Sequence, residues 1–154
     1  MRHVLCAMVA AGLLGLPFGA AASPYPLEEI LDKAAAQTLA KENIRTTDDL
    51  LQQGATLKQR KALAKTTALP LPKLDAWTKL SDLVRIKGVG PEMVRLLGAG
   101  KVKTVKDLQG QAAAKLHKAL IAANTRTKIT QKPPSEDQVA NWIEQAKKLK
   151  IVLR

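Results

Sequence analysis

The sequence predicts an all-α fold, because its apolar residues recur at helical spacing and not at strand spacing. Beyond Ala22, no segment alternates apolar and polar residues with period two over a useful length. The composition supports a packed core, since 46% of the 154 residues are hydrophobic and 25% are charged. Aromatic residues make up only 3%, so aliphatic side chains must fill most of that core.

The segment Met1–Ala22 carries the pattern of a secretory signal peptide. A short basic start, Met1–His3, precedes an apolar run from Val4 to Leu16, and small residues follow at Ala20–Ala22. The apolar run is shorter than the roughly 20 residues that a membrane-spanning helix needs. We therefore expect cleavage after Ala22, a periplasmic or secreted protein, and no stable membrane span after cleavage. An uncleaved membrane anchor is the alternative.

Helix-start signals divide the rest of the chain. The first helix is expected to run from Pro26, which suits a first helical turn, through Ala35. A helix ending near Ile86 precedes a Gly-containing turn, and residues 124–134 read as a linker after a helix over residues 112–123. Four further helix starts are marked by a Ser or Thr three residues before an Asp or Gln: Thr46–Asp49, Thr56–Gln59, Thr104–Asp107 and Ser135–Gln138.

An internal repeat relates two parts of the chain. Ile44–Leu50 matches Val102–Leu108, about 58 positions later, and the order of predicted helices around each match is the same. Trp77 and Trp142 lie near the end of each copy, on apolar helix faces where burial is expected. The repeat predicts two similar helical units followed by a C-terminal amphipathic helix.

The basic charge is concentrated in the second unit. We place the units at residues 23–78 and 79–132, with residues 133–154 forming a C-terminal helix that packs on the second unit. The whole chain has a net charge of +12. The second unit alone has 12 basic and 3 acidic residues, a net +9, whereas the other two segments have +1 each. Such an excess favours a polyanionic partner.

The second unit also contains a turn suited to phosphate. In Ile86–Pro91, two glycines permit backbone conformations that a Cβ would hinder, and Pro91 presets the next helix. The N–H groups of the turn and of the following helical turn are expected to point outward together, which is a natural site for a phosphate oxygen. Two cations flank the turn and can add charge-assisted contacts: Lys87 and Arg95.

The pattern Ile86-Lys87-Gly88-Val89-Gly90 followed by a helix resembles the hairpin signature of helix-hairpin-helix proteins. Over about residues 25–149, the chain is similar to an uncharacterised bacterial family with a tandem helix-hairpin-helix arrangement. The resemblance implies two SAM-like helix-hairpin-helix units, of which the first is degenerate because it lacks the Gly-x-Gly turn. It also implies nonspecific binding of the DNA phosphate backbone by the hairpin. The residues expected to bind are Lys87, Gly88, Val89, Gly90, Arg95 and, on the basic face, Lys101, Lys103 and Lys106.

Several function classes lack the residues that they need. The one cysteine, Cys6, and one of the two histidines, His3, lie in the predicted signal peptide, so His117 is the only imidazole that remains. We therefore expect no enzyme, no metal site, no cofactor and no small-molecule substrate. Two partners stay open: double-stranded DNA, bound without sequence preference, or an acidic protein surface bound by a non-enzymatic scaffolding module of the cell envelope.

Overall fold

The computed structural model describes residues 22–154, and the predicted signal peptide lies almost entirely outside them. The all-α prediction is confirmed, because these residues form helices, turns and only a single isolated β-bridge between Pro26 and Thr46. A short 3-10 helix, Leu27–Glu29, comes first. Eight α-helices follow in the described part of the chain: α1 (Lys33–Lys41), α2 (Thr47–Gly54), α3 (Leu57–Thr67), α4 (Leu71–Leu83), α5 (Pro91–Ala99), α6 (Val105–Gln109), α7 (Ala113–Thr127) and α8 (Glu136–Lys148).

All four predicted helix starts are confirmed as capping boxes. At each start, the side chain of the Ser or Thr accepts a hydrogen bond from the backbone N–H of the residue three positions later. The side chain of that later residue in turn accepts from the backbone N–H of the Ser or Thr. At the start of α2, Asp49 accepts from Thr46 N at 2.9 Å and from Arg45 N at 3.1 Å. Although partial burial opposes the shift, these hydrogen bonds hold the pKa of Asp49 below its ordinary value.

The predicted first helix is wrong in its start. Instead of one helix from Pro26, the chain forms the 3-10 turn and begins α1 only at Lys33. The reason is Asp32, whose side chain accepts from Ala35 N at 2.9 Å and so caps a new helix. The predicted linker after α7 is also shorter than expected, because α7 continues to Thr127 before Lys128 ends it in the left-handed conformation.

The repeat is visible in the backbone of the two units. α1 and α5 each have nine residues and begin 58 positions apart. After each of them the same turn position has a positive φ, 59° at Asn43 and 66° at Lys101, again 58 positions apart. α4 and α8 each have thirteen residues, with a buried tryptophan, Trp77 or Trp142, at the seventh. In both copies the last helix packs on the two helices before it.

Two hydrophobic clusters form the core. The first is built from the segment before α1 and from α1 to α4, and it includes Leu39, Leu50 and Trp77. The second is built from the end of α4 and from α5 to α8, and α8 contributes Trp142 among its four buried residues. Leu80 packs against both clusters. The predicted boundary between residues 78 and 79 therefore lies inside α4, a helix that the two clusters share.

A buried ion pair joins the end of α4 to the rest of the second unit. Asp82 and Arg85 are 2% and 7% exposed, with Oδ1 of Asp82 2.7 Å from Nη1 of Arg85. The other carboxylate oxygen of Asp82 accepts from Val105 N at 2.9 Å, at the first residue of α6. Nη2 of Arg85 donates to the main-chain oxygen of Lys150 at 3.2 Å. This network holds the α4–α5 connection, residues 84–90, against α6 and the segment after α8.

Candidate nucleic-acid interface

The turn between α4 and α5 depends on glycine at one position. Gly88 has a φ of +91°, a backbone conformation that residues with a Cβ rarely adopt. A Cβ at this position would also lie 3.1 Å from Nε1 of Trp142. Gly90 is different, because its φ of −86° and ψ of −176° are ordinary extended values. The sequence signature contains two glycines, but backbone conformation requires only the first.

The main chain of Lys87 is held by α8. Its N–H donates to Oε1 of Gln145 at 2.9 Å, and Nε2 of Gln145 donates back to the Lys87 carbonyl at 3.2 Å. The sequence predicts that the N–H groups of the turn are available to a ligand, and for the N–H of Lys87 this prediction is wrong. The Lys87 side chain is exposed and remains available.

Val89 is a core residue and not a contact residue. Its side chain is 1% exposed within the second cluster, and its N–H donates to the carbonyl of Ile86 at 3.0 Å. The prediction that Val89 offers a free N–H group is wrong, since the turn uses this group itself. Its side chain anchors the turn to the core, while the neighbouring Gly88 is exposed and Gly90 is half-buried.

Two donors of the turn are not used by any residue that the structure describes. Within residues 22–154, no acceptor is found for the N–H of Gly88 or of Gly90. The first helical bond of α5 runs from Val94 N to Gly90 O at 2.9 Å, so the N–H groups of Glu92 and Met93 also precede the helical ladder. No side chain caps this helix start. Among residues 22–154, these N–H groups therefore have no partner and lie at the positive end of α5.

The equivalent helix start in the first unit is closed by its own carboxylate. Asp32 is the N-cap of α1 and Gly90 is the N-cap of α5, 58 positions apart. Asp32 accepts from Ala35 N, and the residue matching Ala35 in the second unit is Met93, whose N–H has no acceptor among the described residues. The first unit thus has its carboxylate at the N-cap itself, whereas the second has no charge at the N-cap and carries an exposed acid, Glu92, in the first turn of α5. This difference separates the two copies chemically.

The sequence comparisons place the chain in a family without a described activity. A family model described as a domain of unknown function, DUF4332, matches residues 29–149. The chain belongs to the DUF4332 family. No curated protein and no solved structure matches it.

The cations of the second unit of this DUF4332 protein are mostly at the surface. Arg85 is the exception, because it is buried and neutralised by Asp82, and Lys79 lies 2.6 Å from Asp75. Ten basic residues of the unit are exposed: Lys87, Arg95, Lys101, Lys103, Lys106, Lys115, Lys118, Arg126, Lys128 and Lys132. The four predicted contact cations outside the turn, Arg95, Lys101, Lys103 and Lys106, are all among them. The excess of basic residues in the sequence of the second unit is therefore an excess of positive charge at its surface.

Two neighbours of the turn in the DUF4332 protein, the segment Ala22–Pro26 and Thr130, were not predicted. The hydroxyl of Tyr25 lies 3.4 Å from where a Cβ at Gly90 would be, and Ala22–Pro26 form one wall of a groove of about 620 Å³ beside Lys87 and Gly88. On another side, Oε2 of Glu92 accepts from Oγ1 of Thr130 at 3.0 Å. These contacts join residues far apart in sequence, and no local pattern signals them.

Two further observations on the described part of the DUF4332 chain concern membrane-spanning helices and metal sites. Within residues 22–154, no helix combines the length and the apolar character that crossing a membrane requires. In the same residues, no three His, Cys, Asp or Glu side chains are grouped so that they could hold a metal ion.

Proposed function

We propose that this protein binds the sugar–phosphate backbone of double-stranded DNA, without reading base sequence, through the α4–α5 turn. The observation that carries the proposal is the pair of main-chain donors at Gly88 and Gly90, which have no acceptor in the described part of the chain. They lie at the positive end of α5, where a phosphate oxygen is favourably bound. In this interpretation α4, the turn and α5 form a helix-hairpin-helix module.

The surface charge supports a polyanion over a small anion. Phosphate binding by lysine and arginine releases condensed counterions, which supplies most of the affinity of nonspecific DNA binding. The second unit has ten exposed cations and two exposed acids, Glu92 and Asp107, and this excess of positive charge suits that mode of binding. The proposed contact residues are Lys87, Gly88, Gly90, Arg95, Lys101, Lys103 and Lys106.

The contrast between the two units supports a single binding turn. Asp32 places a carboxylate at the start of α1, so a phosphate approaching there would meet charge repulsion and an occupied donor. At α5 the N-cap Gly90 has no side chain to occupy a donor, and the acid of the first turn, Glu92, accepts a hydrogen bond from Oγ1 of Thr130 instead. We accordingly propose that the first unit is structural and that the second binds. The proposed location is extracytoplasmic, on the basis of the signal-like segment Met1–Ala22, and the proposed protein is not an enzyme.

One observation favours a second candidate, a non-enzymatic scaffolding module that binds an acidic protein. The groove beside the turn, between Tyr25 and Lys87, is large enough for side chains of a partner. A protein partner would use this groove together with the basic face, whereas a phosphate needs only the turn.

The affinity for random-sequence duplex DNA, measured by fluorescence anisotropy across a salt series, tests the proposal. If about six phosphates are neutralised, the plot of log affinity against log salt has a slope of about −5. A flat salt response would reject the DNA proposal. Parallel capture of acidic envelope proteins with no DNA binding would support the scaffolding alternative.

A further inference from the structure

A cleft at the junction of the two units has the composition of a small-molecule site. It encloses about 350 Å³, within the size range of ligand pockets. Its walls come from α4 on one side and from the end of α5 and the following turn on the other. The apolar lining includes Ala76 and Leu80 of α4, together with Gly98 and Val102. This lining is continuous with the core, since Val102 belongs to the second hydrophobic cluster.

Gly98 leaves the cleft open. A Cβ at this position would meet no atom within 4 Å, although the residue lies in the last turn of α5. Glycine is unfavourable inside a helix by roughly 0.5–1 kcal/mol relative to alanine. Here neither a positive φ nor a close neighbour requires it. Its effect is to keep space between α4 and α5 that any larger residue would occupy.

The charged groups at the rim favour an anion. Asp75, the only acidic group in the lining, is already paired, with its carboxylate oxygens 3.1 Å from Nε of Arg60 and 2.6 Å from Nζ of Lys79. Lys103 adds a further cation that is exposed and forms no ion pair with the described residues. The lining therefore carries two positive groups, Lys79 and Lys103, and one negative group, Asp75, whose charge is also met by the buried Arg60 behind it. This leaves an excess of positive charge above an apolar floor.

We infer that this cleft binds a small amphipathic carboxylate, with its apolar body on Leu80, Gly98 and Val102 and its head group toward Lys79 and Lys103. The apolar floor excludes strongly hydrated ions, and the positive rim disfavours amines. The inference does not depend on DNA binding, because Lys103 is the one residue that the cleft lining shares with the proposed DNA-contact residues.

The test compares octanoate with octylamine, which have similar apolar bodies and opposite charge, in ¹H–¹⁵N NMR titrations of the protein. Octanoate is expected to produce saturable shifts at the amides of Gly98 and Val102, and octylamine is expected to produce none. Equal binding of the two probes, or no saturable shift with octanoate, would overturn the inference.

Two pairs of variants locate the site. Gly98→Leu fills the cleft and is expected to weaken octanoate binding by at least about tenfold, whereas Gly110→Leu, at an exposed glycine outside it, leaves binding unchanged. Lys103→Gln is expected to weaken octanoate binding about two- to fivefold, and Lys106→Gln, at a residue that does not line the cleft, should leave it unchanged.

Circular dichroism checks that each variant folds. Undiminished octanoate binding by folded Gly98→Leu would show that the ligand lies elsewhere. DNA affinity is expected to survive Gly98→Leu, which separates this test from that of the proposed function.

Discussion

Gly88 lies directly against Trp142, so close that a Cβ on Gly88 would be 3.1 Å from the indole nitrogen. The tryptophan is 4% exposed and belongs to the second hydrophobic cluster. The α4–α5 turn therefore rests on the most buried face of α8. This contact holds the inner side of the turn against the core, while its outer side is at the surface.

Gly88→Ala is expected to destabilise the protein, because alanine would have to adopt a φ of +91° and displace Trp142. The expected loss is at least about 1 kcal/mol in the free energy of unfolding. Gly98→Ala is the matched control, since its Cβ enters open space in a helix, and it should stabilise by about 0.5–1 kcal/mol. Urea denaturation measures both. Equal effects of the two substitutions would contradict the role assigned to the Gly88 backbone.

The N–H of Gly90 can be removed with little effect on folding, because it has no acceptor among the described residues. Gly90→Pro deletes this N–H group, and the φ of Gly90, −86°, is close to the φ that proline adopts. Gly90→Ala keeps the N–H group. We expect the proline variant to bind duplex DNA about five- to tenfold more weakly than the alanine variant, which is the loss of one charge-assisted hydrogen bond. Thermal denaturation shows whether both variants remain folded. Equal affinities would remove the Gly90 donor from the mechanism.

The position of the charge is expected to matter more than its amount. Replacing Lys101, Lys103 and Lys106 by glutamine should weaken DNA binding and make the salt slope less steep by about 2–3 units. The control replaces Lys58, Lys61 and Lys65, three exposed lysines on α3 in the first unit, and changes the net charge equally. Anisotropy titrations at several salt concentrations compare them. If both triple variants lose the same slope, net charge alone drives binding and the proposed interface is wrong.

Asp49 is expected to make stability depend on pH in the acid range. Its pKa is lowered in the folded protein because, against the effect of partial burial, it accepts hydrogen bonds from Arg45 and Thr46. Because the pKa of Asp49 is lower in the folded state than in the unfolded state, the ionised carboxylate stabilises the folded protein at pH values above the unfolded-state pKa. This stabilisation is lost as the pH falls through the folded-state pKa. Asp49→Asn should therefore lower the melting temperature at neutral pH, and the difference should shrink below about pH 4. A difference that stays constant with pH would show that the carboxylate charge is not responsible.

Local features of this chain are predictable from sequence because each depends on residues within one or two turns of one another. The capping boxes at Thr46, Thr56, Thr104 and Ser135 can be read directly, since each joins a side chain to a backbone group three residues away. The repeat and the burial of the two tryptophans follow from residue order and apolar spacing. The start of α1 is predicted wrongly because Pro26 also suits a first helical turn, and the local pattern does not show that Asp32 caps the helix instead.

The sequence by itself determined that this protein is all helical, duplicated, and most basic in its second half. Only the tertiary structure decided which groups of the α4–α5 turn are available. Gln145 occupies the Lys87 amide from 58 residues away, and the Lys150 carbonyl accepts from Nη2 of Arg85 from 65 residues away. Hydrogen-bonding capacity and charge belong to residues, but whether they remain unpaired depends on what packs against them, and that is set by contacts between distant segments of the chain.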